Sequence, residues 1–500
     1  MRLTANEVRF NRLQEFKSPR LRQIDEQKGY TFTVLTENRI DLNPMHIADL
    51  KAMFGARFTT NESVLVQHSR DESAFPPVLP SAVIYPHNTE EVSKVLAYCN
   101  QNLIPVVAFG AGSSLEGHVL PLKGGISLDM TEMKKIIEIS PEDLTVRVEA
   151  GLTRIALNNR LADVGLFFSV DPGADATIGG MASTGAAGTT TVKYGSMREN
   201  VLALTAVLAD GTIVKTGRPT RKLSAGYDLT RLLVGSEGTL AVITEVTLRV
   251  FGVPEKMSAA IVRFETLADG VAAAAAIVQM GTNIARCEFL DEASIRNANI
   301  HSGLTLPEQP TLLFEFHGSP TNVASDAQSV AEIVAEFGGT NFEWTSDESA
   351  RRKLWQARHD AYWSNVHIYP GKRIVSTDMA VPLSALAKAV EACHEILSTH
   401  KFPFSIFGHV ADGNFHCMII TDPLNPNELT DIREITHAMA SKIIAMNGTC
   451  TGEHGIGMGK IESLVEETGE NAVALMRTIK NAMDPNGILN PGKVLAQKYP

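Results

Sequence analysis

Residues 408–417 read GHVADGNFHC and set two histidines, His409 and His416, on either side of an Asp-Gly pair. Asp-Gly is a preferred centre for a two-residue hairpin turn. With Asp412 and Gly413 as that turn, 411 pairs with 414, 410 with 415, and His409 with His416, their Cβ atoms about 5 Å apart on one face. Two imidazoles at that spacing can share a divalent metal; a cross-strand polar pair on an exposed hairpin is the plainer alternative. A second stretch, GTCTGEHGIGMGK (448–460), places Glu453 and His454 in a glycine-flanked turn. Glu453 would complete a His₂Glu set with positions left for water or substrate, as catalytic sites have. His454 then points away from its neighbour and can act as a free base, although Glu-His in a turn is, taken alone, more often a surface feature. A third stretch, KLWQARHDAYW (353–363), reads as one helix. Its Arg358 is a candidate fork for a carboxylate, against the alternative of a solvated helix arginine.

The chain that must position these groups has 500 residues, more than a single core usually organises, so two or three domains are expected. A hydrophobic share of 44% and a charged share of 20% belong to an ordinary globular protein. The formal net charge is −11 with no run of Lys and Arg, which excludes a nucleic-acid binder as the default. Five scattered cysteines without a CxxC pair exclude a zinc ribbon or thioredoxin motif and fit a reducing compartment. No stretch is long and apolar enough for a membrane span, and the N-terminus lacks the apolar core of a signal peptide. A cytoplasmic location is the expectation, with peripheral membrane contact left open.

Residues 1–75 show no sustained periodicity and read as an irregular lead-in. From 76 to 255 the pattern is α+β. SAVIYP, IPVVAFG, GGISLDM, LTVRVEAG, ALTAVLADG and LAVITEVTLRV are strands, TEEVSKVLAYCNQN is a helix capped by Thr89, and residues 154–165 form another. From 256 to 480 a second pattern follows: AAIVRF, RCEFLD and TLLFEFHG as strands, with helices at 267–280 and 323–337. This suggests a substrate (cap) domain built on an antiparallel sheet with helices on one face. The segment 481–500 is punctuated by Pro and Gly and is expected to dock back on the first domain.

Glycine is concentrated in FGAGSSLEG (109–117), DPGADATIGGMASTGAAGTTTVKYG (171–195) and GSEGTLAVITE (235–245). Free backbone N–H groups and small side chains of this kind suit a diphosphate. GAGSSL lacks the third glycine of the dinucleotide fingerprint, and GIGMGKI lacks the spacing and Ser/Thr of a Walker loop. Nicotinamide and ATP sites are therefore not supported.

Taken in order, PSAVIYPHNTEEV, VVAFGAGSSLEG, VDPGADATIGGMASTGAAG, KYGSMRENV and VGSEGTLAVITEVTLRV resemble the FAD-binding domain of vanillyl-alcohol-oxidase-type flavoproteins. Over roughly 75–495 the likeness is to the branch of D-lactate dehydrogenase (cytochrome), near D-2-hydroxyglutarate dehydrogenase and the glycolate oxidase D subunit. The resemblance implies non-covalent FAD, with Gly110, Ala111, Gly112, Ser113, Ser114 and Gly117 around its diphosphate. It implies that Pro172, Gly173, Thr177, Gly180, Ser183, Gly185 and Gly188 line the dinucleotide, and that Glu237, Gly238 and Ile243 meet the flavin side. His118 departs from the glycine of many relatives. His409, His416 and Glu453 become the ligands of a zinc or manganese ion, and His454 the base. Arg358, with Tyr362 close by, becomes the substrate arginine, and Asn414 bonds substrate or supports the ligands.

The activity implied is oxidation of a D-2-hydroxy acid, with electrons passing to a cytochrome or quinone-type acceptor. Relatives that act on the dicarboxylate hydroxyglutarate carry a lysine where Ser376 stands here; Lys372 and Arg373 are out of register, which favours D-lactate. A metal hydrolase and a non-catalytic flavin subunit of an oxidase are the rival classes. A monomer or homodimer is expected, mitochondrial and at the inner-membrane surface if the source is eukaryotic.

Overall fold

The computed structural model describes residues 39–496 except Asp360, so the first 38 residues of the lead-in and the last four of the chain lie outside the described residues. The remainder of the lead-in is not irregular. Asn43 caps the helix Pro44–Phe54, whose Leu50 and Phe54 are buried with Phe58 in the first core.

That core surrounds a sheet in the order Phe58–Thr59, Ala82–Ile84, Ile126–Asp129, Val106–Phe109, in which the last three strands run parallel. Helix Thr89–Gln101 supplies the crossover and packs Val92, Val95 and Leu96 onto it. The cap of this helix is Asn88, whose side chain accepts from the Glu91 N–H. Thr89, expected as the cap, is instead buried and donates to Thr244 Oγ1 at 2.9 Å. A second, antiparallel sheet runs Ile136–Ser140, Thr145–Glu149, Val242–Arg249, Val201–Val207, Ile213–Gly217. Val146, Val148, Leu204, Val246 and Leu248 project from it onto Leu157, Leu161, Ile178 and Met181.

From Lys256 the chain builds an eight-stranded antiparallel sheet, in the order Thr340–Thr345, Lys256–Arg263, Thr311–Gly318, Arg286–Leu290, Phe404–Gly408, Asn414–Thr421, Arg373–Ser376, with Met379–Ala380 paired beside Asn414–Phe415. Alternation along Lys256–Arg263 sends Ala260 and Val262 to one face and Ala259 and Ile261 to the other, and all are buried. Helices therefore cover both faces, not one. Leu267–Gln279, Pro320–Glu336, Leu386–Ser398 and Pro426–Ile444 pack on the first; Glu292–Ser302, Glu348–His359 and Ala361–Ile368 pack on the second. The terminal segment returns to the first sheet, where Val106 donates to Ile488 O and Asn490 N–H donates to Val106 O. No helix among the described residues is long and apolar enough to cross a membrane. All five cysteines are buried free thiols.

Candidate active site

The two-residue Asp-Gly turn does not form. Phe404–Gly408 pairs with Asn414–Thr421 so that Phe407, not His409, lies opposite His416. Residues between the strands make a 3₁₀ turn, Val410–Asp412, closed by Gly413 at φ +76°. The start of the second strand is already paired with Met379–Ala380, and Val381 N–H donates to Gly413 O at 3.0 Å, which seats the turn inside the domain. The register differs from the expected one by two residues. An even slip preserves the face. His409 thus stays on the side of His416, and the rings meet edge to face with centroids 5.4 Å apart.

Both imidazoles turn Nε2 toward one carboxylate oxygen. His409 Nε2 and His416 Nε2 each lie 3.3 Å from Glu453 Oε1. Their other nitrogens are held from behind: His409 Nδ1–H donates to Glu288 Oε1 at 2.7 Å, and His416 Nδ1–H donates to Thr377 O at 3.1 Å. Donation from Nδ1 leaves the Nε2 lone pair for a cation, the arrangement metal-bound histidines use. Burial alone would discharge His409, but Glu288 and Glu453 outweigh it and raise its pKa well above the ordinary value. A divalent cation would take the place of that proton between Nε2 and Glu453. The donor set of two nitrogens and an oxygen fits zinc or manganese.

Glu453 and His454 sit in a turn fixed by Asp378, a fully buried carboxylate. Asp378 Oδ2 accepts the N–H groups of Glu453 and His454, both at 2.7 Å, and the Thr451 hydroxyl at 2.8 Å. One donor atom from each of Asp378, His416, Glu453 and His454 lies within 4.8 Å of the others. Because Asp378 already accepts four hydrogen bonds, counting Asn414 Nδ2 on Oδ1, its task is to hold the turn. His454 does not point away from its surroundings. It stacks on His416 at 5.1 Å, with Nε2 3.9 Å from Glu453 Oε1. Burial lowers its pKa to about 4, so the ring is neutral at pH 7, and Nδ1 is buried without a hydrogen-bond partner.

Arg358 reaches the same place by a different route. The expected single helix is two, Glu348–His359 and Ala361–Ile368. Arg358 Nε donates to Glu288 Oε2 at 2.6 Å, and its guanidinium lies over the Phe407 ring at 4.7 Å. Glu288 therefore joins Arg358 to His409. Tyr362 lies in the second-face core, half-buried, and burial together with Glu72 pushes its phenol up to about 12. Asn414 Nδ2 is committed to Asp378 Oδ1 and to Met379 O, so it supports the turn. Ser376 bonds its neighbour Thr377 O, Lys372 pairs with Asp422, and Arg373 donates to Ser73 O.

The glycine segments converge. A Cβ on Gly110 would collide with Thr177 Oγ1, and one on Gly185 would lie 3.5 Å from Gly235 Cα. Glu237 N–H donates to Ser183 O at 2.8 Å, and Ser114 Oγ donates to Asp71 at 2.9 Å. Ala111, Gly112, Ser113, Gly117, Pro172, Gly173, Gly180, Gly188 and Gly238 belong to the same three segments. Their lack of bulk makes a surface that FAD fits, with Ala111 and Gly173 exposed. Ile243 is buried in the second core, and the Glu237 carboxylate accepts from the N–H groups of Ile456 and Gly457.

Glu288 and Asp378 are the functional side chains that sequence reading missed. Each stood as an acidic letter inside an apolar strand-like run, RCEFLD and STDMAVP, and that mismatch was the available signal.

Comparison with known proteins agrees with this architecture. Residues 80–217 match the FAD binding domain family, and residues 253–494 match the C-terminal domain of FAD linked oxidases. The chain is 44% identical to the probable mitochondrial D-lactate dehydrogenase of Danio rerio, over 87% of this chain and 88% of that one. It is 40% identical to the mitochondrial D-lactate dehydrogenase [cytochrome] of Arabidopsis thaliana, over 90% and 80%. It is 33% identical to glycolate oxidase subunit GlcD of Bacillus subtilis, over 84% and 90%. The fold matches 4-ethylphenol oxidase from Gulosibacter chungangensis with a TM-score of 0.74, 18% identity and coverage of 90% and 96%. With a flavin domain, a linked oxidase domain and relatives this similar along most of its length, the chain belongs to the FAD-binding oxidoreductase family that holds the D-lactate dehydrogenases and the glycolate oxidase D subunit.

Proposed function

We propose that the protein oxidises a D-2-hydroxy acid, with D-lactate, giving pyruvate, as the preferred substrate. The observation that carries this reading is the convergence of His409 Nε2, His416 Nε2 and Glu453 Oε1 beside the neutral ring of His454. Held by His409, His416 and Glu453, a zinc or manganese ion would supply the acidification of a bound hydroxyl group. Bound FAD would supply the acceptor for the hydride of the substrate Cα. Arg358, braced by Glu288 on one side, presents its terminal nitrogens to the substrate carboxylate. His454 takes the hydroxyl proton at Nε2, the nitrogen nearer Glu453. Asp378 and Asn414 keep that turn in place, and the buried setting limits water.

A small substrate is supported by the neighbourhood of Ser376. Lys372, the nearest lysine, is engaged with Asp422 on the surface and offers no second carboxylate site. The names of the relatives support D-lactate first, glycolate second and a cytochrome as electron acceptor.

Anaerobic addition of D-lactate to the purified FAD-loaded chain should bleach the flavin. Side-by-side kcat/KM values on D-lactate, glycolate and D-2-hydroxyglutarate with an artificial acceptor should rank D-lactate highest; a chain inactive on all three would leave only a subunit role. The His454→Asn variant should retain FAD and metal but lose flavin reduction by about 100-fold or more, the scale of a missing general base. Reduction at the wild-type rate would remove His454 from that role.

A further inference from the structure

The turn that bears Glu453 and His454 continues into Gly455-Ile456-Gly457, and a second carboxylate meets it there. Glu237, in the GSEG turn of the flavin domain, is 5% exposed and sits at φ +55°, a left-handed backbone unusual for a side chain of its size. Its two oxygens accept the next pair of amides: Ile456 N–H on Oε1 at 2.7 Å and Gly457 N–H on Oε2 at 2.8 Å. Oε2 also lies 3.0 Å from His118 Nε2. A Cβ on Gly455 would approach Glu237 Oε1 to 2.7 Å and His118 Nε2 to 2.9 Å, so only glycine lets the pair come this close. Asn490 Nδ2 bonds the carbonyls of both His118 and Glu237, at 3.0 and 2.8 Å. Glu116 joins from the same loop, its backbone carbonyl accepting Met458 N–H at 2.9 Å and its carboxylate pairing with Lys460 at 2.8 Å.

The segment is thus held from two sides by carboxylates, one oxygen of Asp378 taking two amides and each oxygen of Glu237 taking one. Asp378 of the cap takes the amides of 453 and 454, and Glu237 of the flavin domain takes those of 456 and 457. We infer that Glu237, with His118 behind it, is a positioning residue that fixes the distance between the flavin cradle and the ligand-and-base turn. This rests on the functional reading above. Substrate affinity is set chiefly by Arg358, which lies outside the turn, whereas hydride transfer depends steeply on that distance.

The test uses the FAD-loaded full chain carrying Glu237→Gln, which keeps the shape but loses the ion pair and one acceptor oxygen. Amide exchange at Ile456 and Gly457 should quicken about 10-fold, with or without FAD. The limiting rate of anaerobic flavin reduction should fall about 10- to 100-fold while the half-saturating D-lactate concentration stays within about twofold. FAD and metal content should match the wild type, and Glu237→Asp should recover part of the rate. His118→Asn, measured in the same way, should show the same split more weakly, and it decides the matter if Glu237→Gln does not fold. Unchanged exchange at 456 and 457 overturns the inference. So does loss of FAD with exchange unchanged, which would return Glu237 to direct cofactor contact, or a raised KM at constant kcat. If no hydroxy acid reduces the wild-type flavin, the functional reading fails, and the exchange measurement alone still judges the clamp.

Discussion

Glu288 sits at the centre of the site although it touches neither the base nor the cradle. It is fully buried, and its two oxygens are divided between Arg358 Nε and His409 Nδ1, at 2.6 and 2.7 Å. Burial alone would favour the neutral acid, but His409 and Arg358 outweigh it and hold the pKa below the ordinary carboxylate value. As an anion it fixes the His409 tautomer and orients the arginine fork with the same group. Glu288→Gln should therefore weaken metal retention by about 10- to 100-fold, the usual cost of losing such a partner. Metal content after dialysis against a weak chelator, at unchanged FAD content, is the measurement. Full retention would mean that Glu288 serves only the arginine. Residue types made the histidines, Glu453 and Arg358 candidates, and the family resemblance supplied their proposed roles. Glu288 and Asp378 could not, since an isolated acid in an apolar strand says that something pairs with it but not what.

At the level of elements, glycine decides the hairpin. Gly408 ends the first strand, and a Cβ there would collide with the Phe415 backbone. Gly413 stands at φ +76°, and a Cβ on it would collide with the Val381 carbonyl. Asp-Gly correctly marked a turn, but the sequence rule chose the shortest hairpin. The pairing of Met379–Ala380 with the second strand favoured the longer loop. Gly413→Ala should destabilise the protein by about 1–3 kcal/mol through strained backbone, visible as a lower denaturant midpoint. It should also lower metal content, because His409 opens the loop that Gly413 closes. A variant with unchanged midpoint and metal would show that the loop relaxes freely.

Across the whole molecule, the flavin domain and the cap are tied by a buried ionic network. Asp171 of the second glycine segment pairs with Arg286 of the cap sheet at 3.0 Å. Arg286 also approaches Glu315 at 3.7 Å, and Glu315 holds Arg351 at 3.1 Å and His317 at 2.7 Å. Burial would raise the Glu315 pKa, but Arg286, His317 and Arg351 overcome it and lower it to about 2. The folded value lies below the unfolded one, so the contribution is complete above about pH 4.5 and is lost as pH falls toward 2. It amounts to roughly 3 kcal/mol at neutral pH. The gap in unfolding free energy between wild type and Glu315→Gln should accordingly shrink from pH 6 to pH 2.5. A gap independent of pH would show that packing, not charge, is the source of the effect.

Composition, the order of the glycine segments and most strands follow from the amino-acid chain, because each rests on local residue types and short periods, while the proposed base, arginine and ligands rest on the family resemblance. Three features needed the packed molecule. Helices cover both faces of the cap sheet because Ala259 and Ile261 are as buried as Ala260 and Val262, and a run apolar at every position does not say which side is covered. The register at GHVADGNFHC was set by a strand some thirty residues earlier in the chain. The pairing of Asp378 and Glu237 with successive amides of one turn joins residues far apart in sequence, and such long-range hydrogen bonds leave no periodic trace.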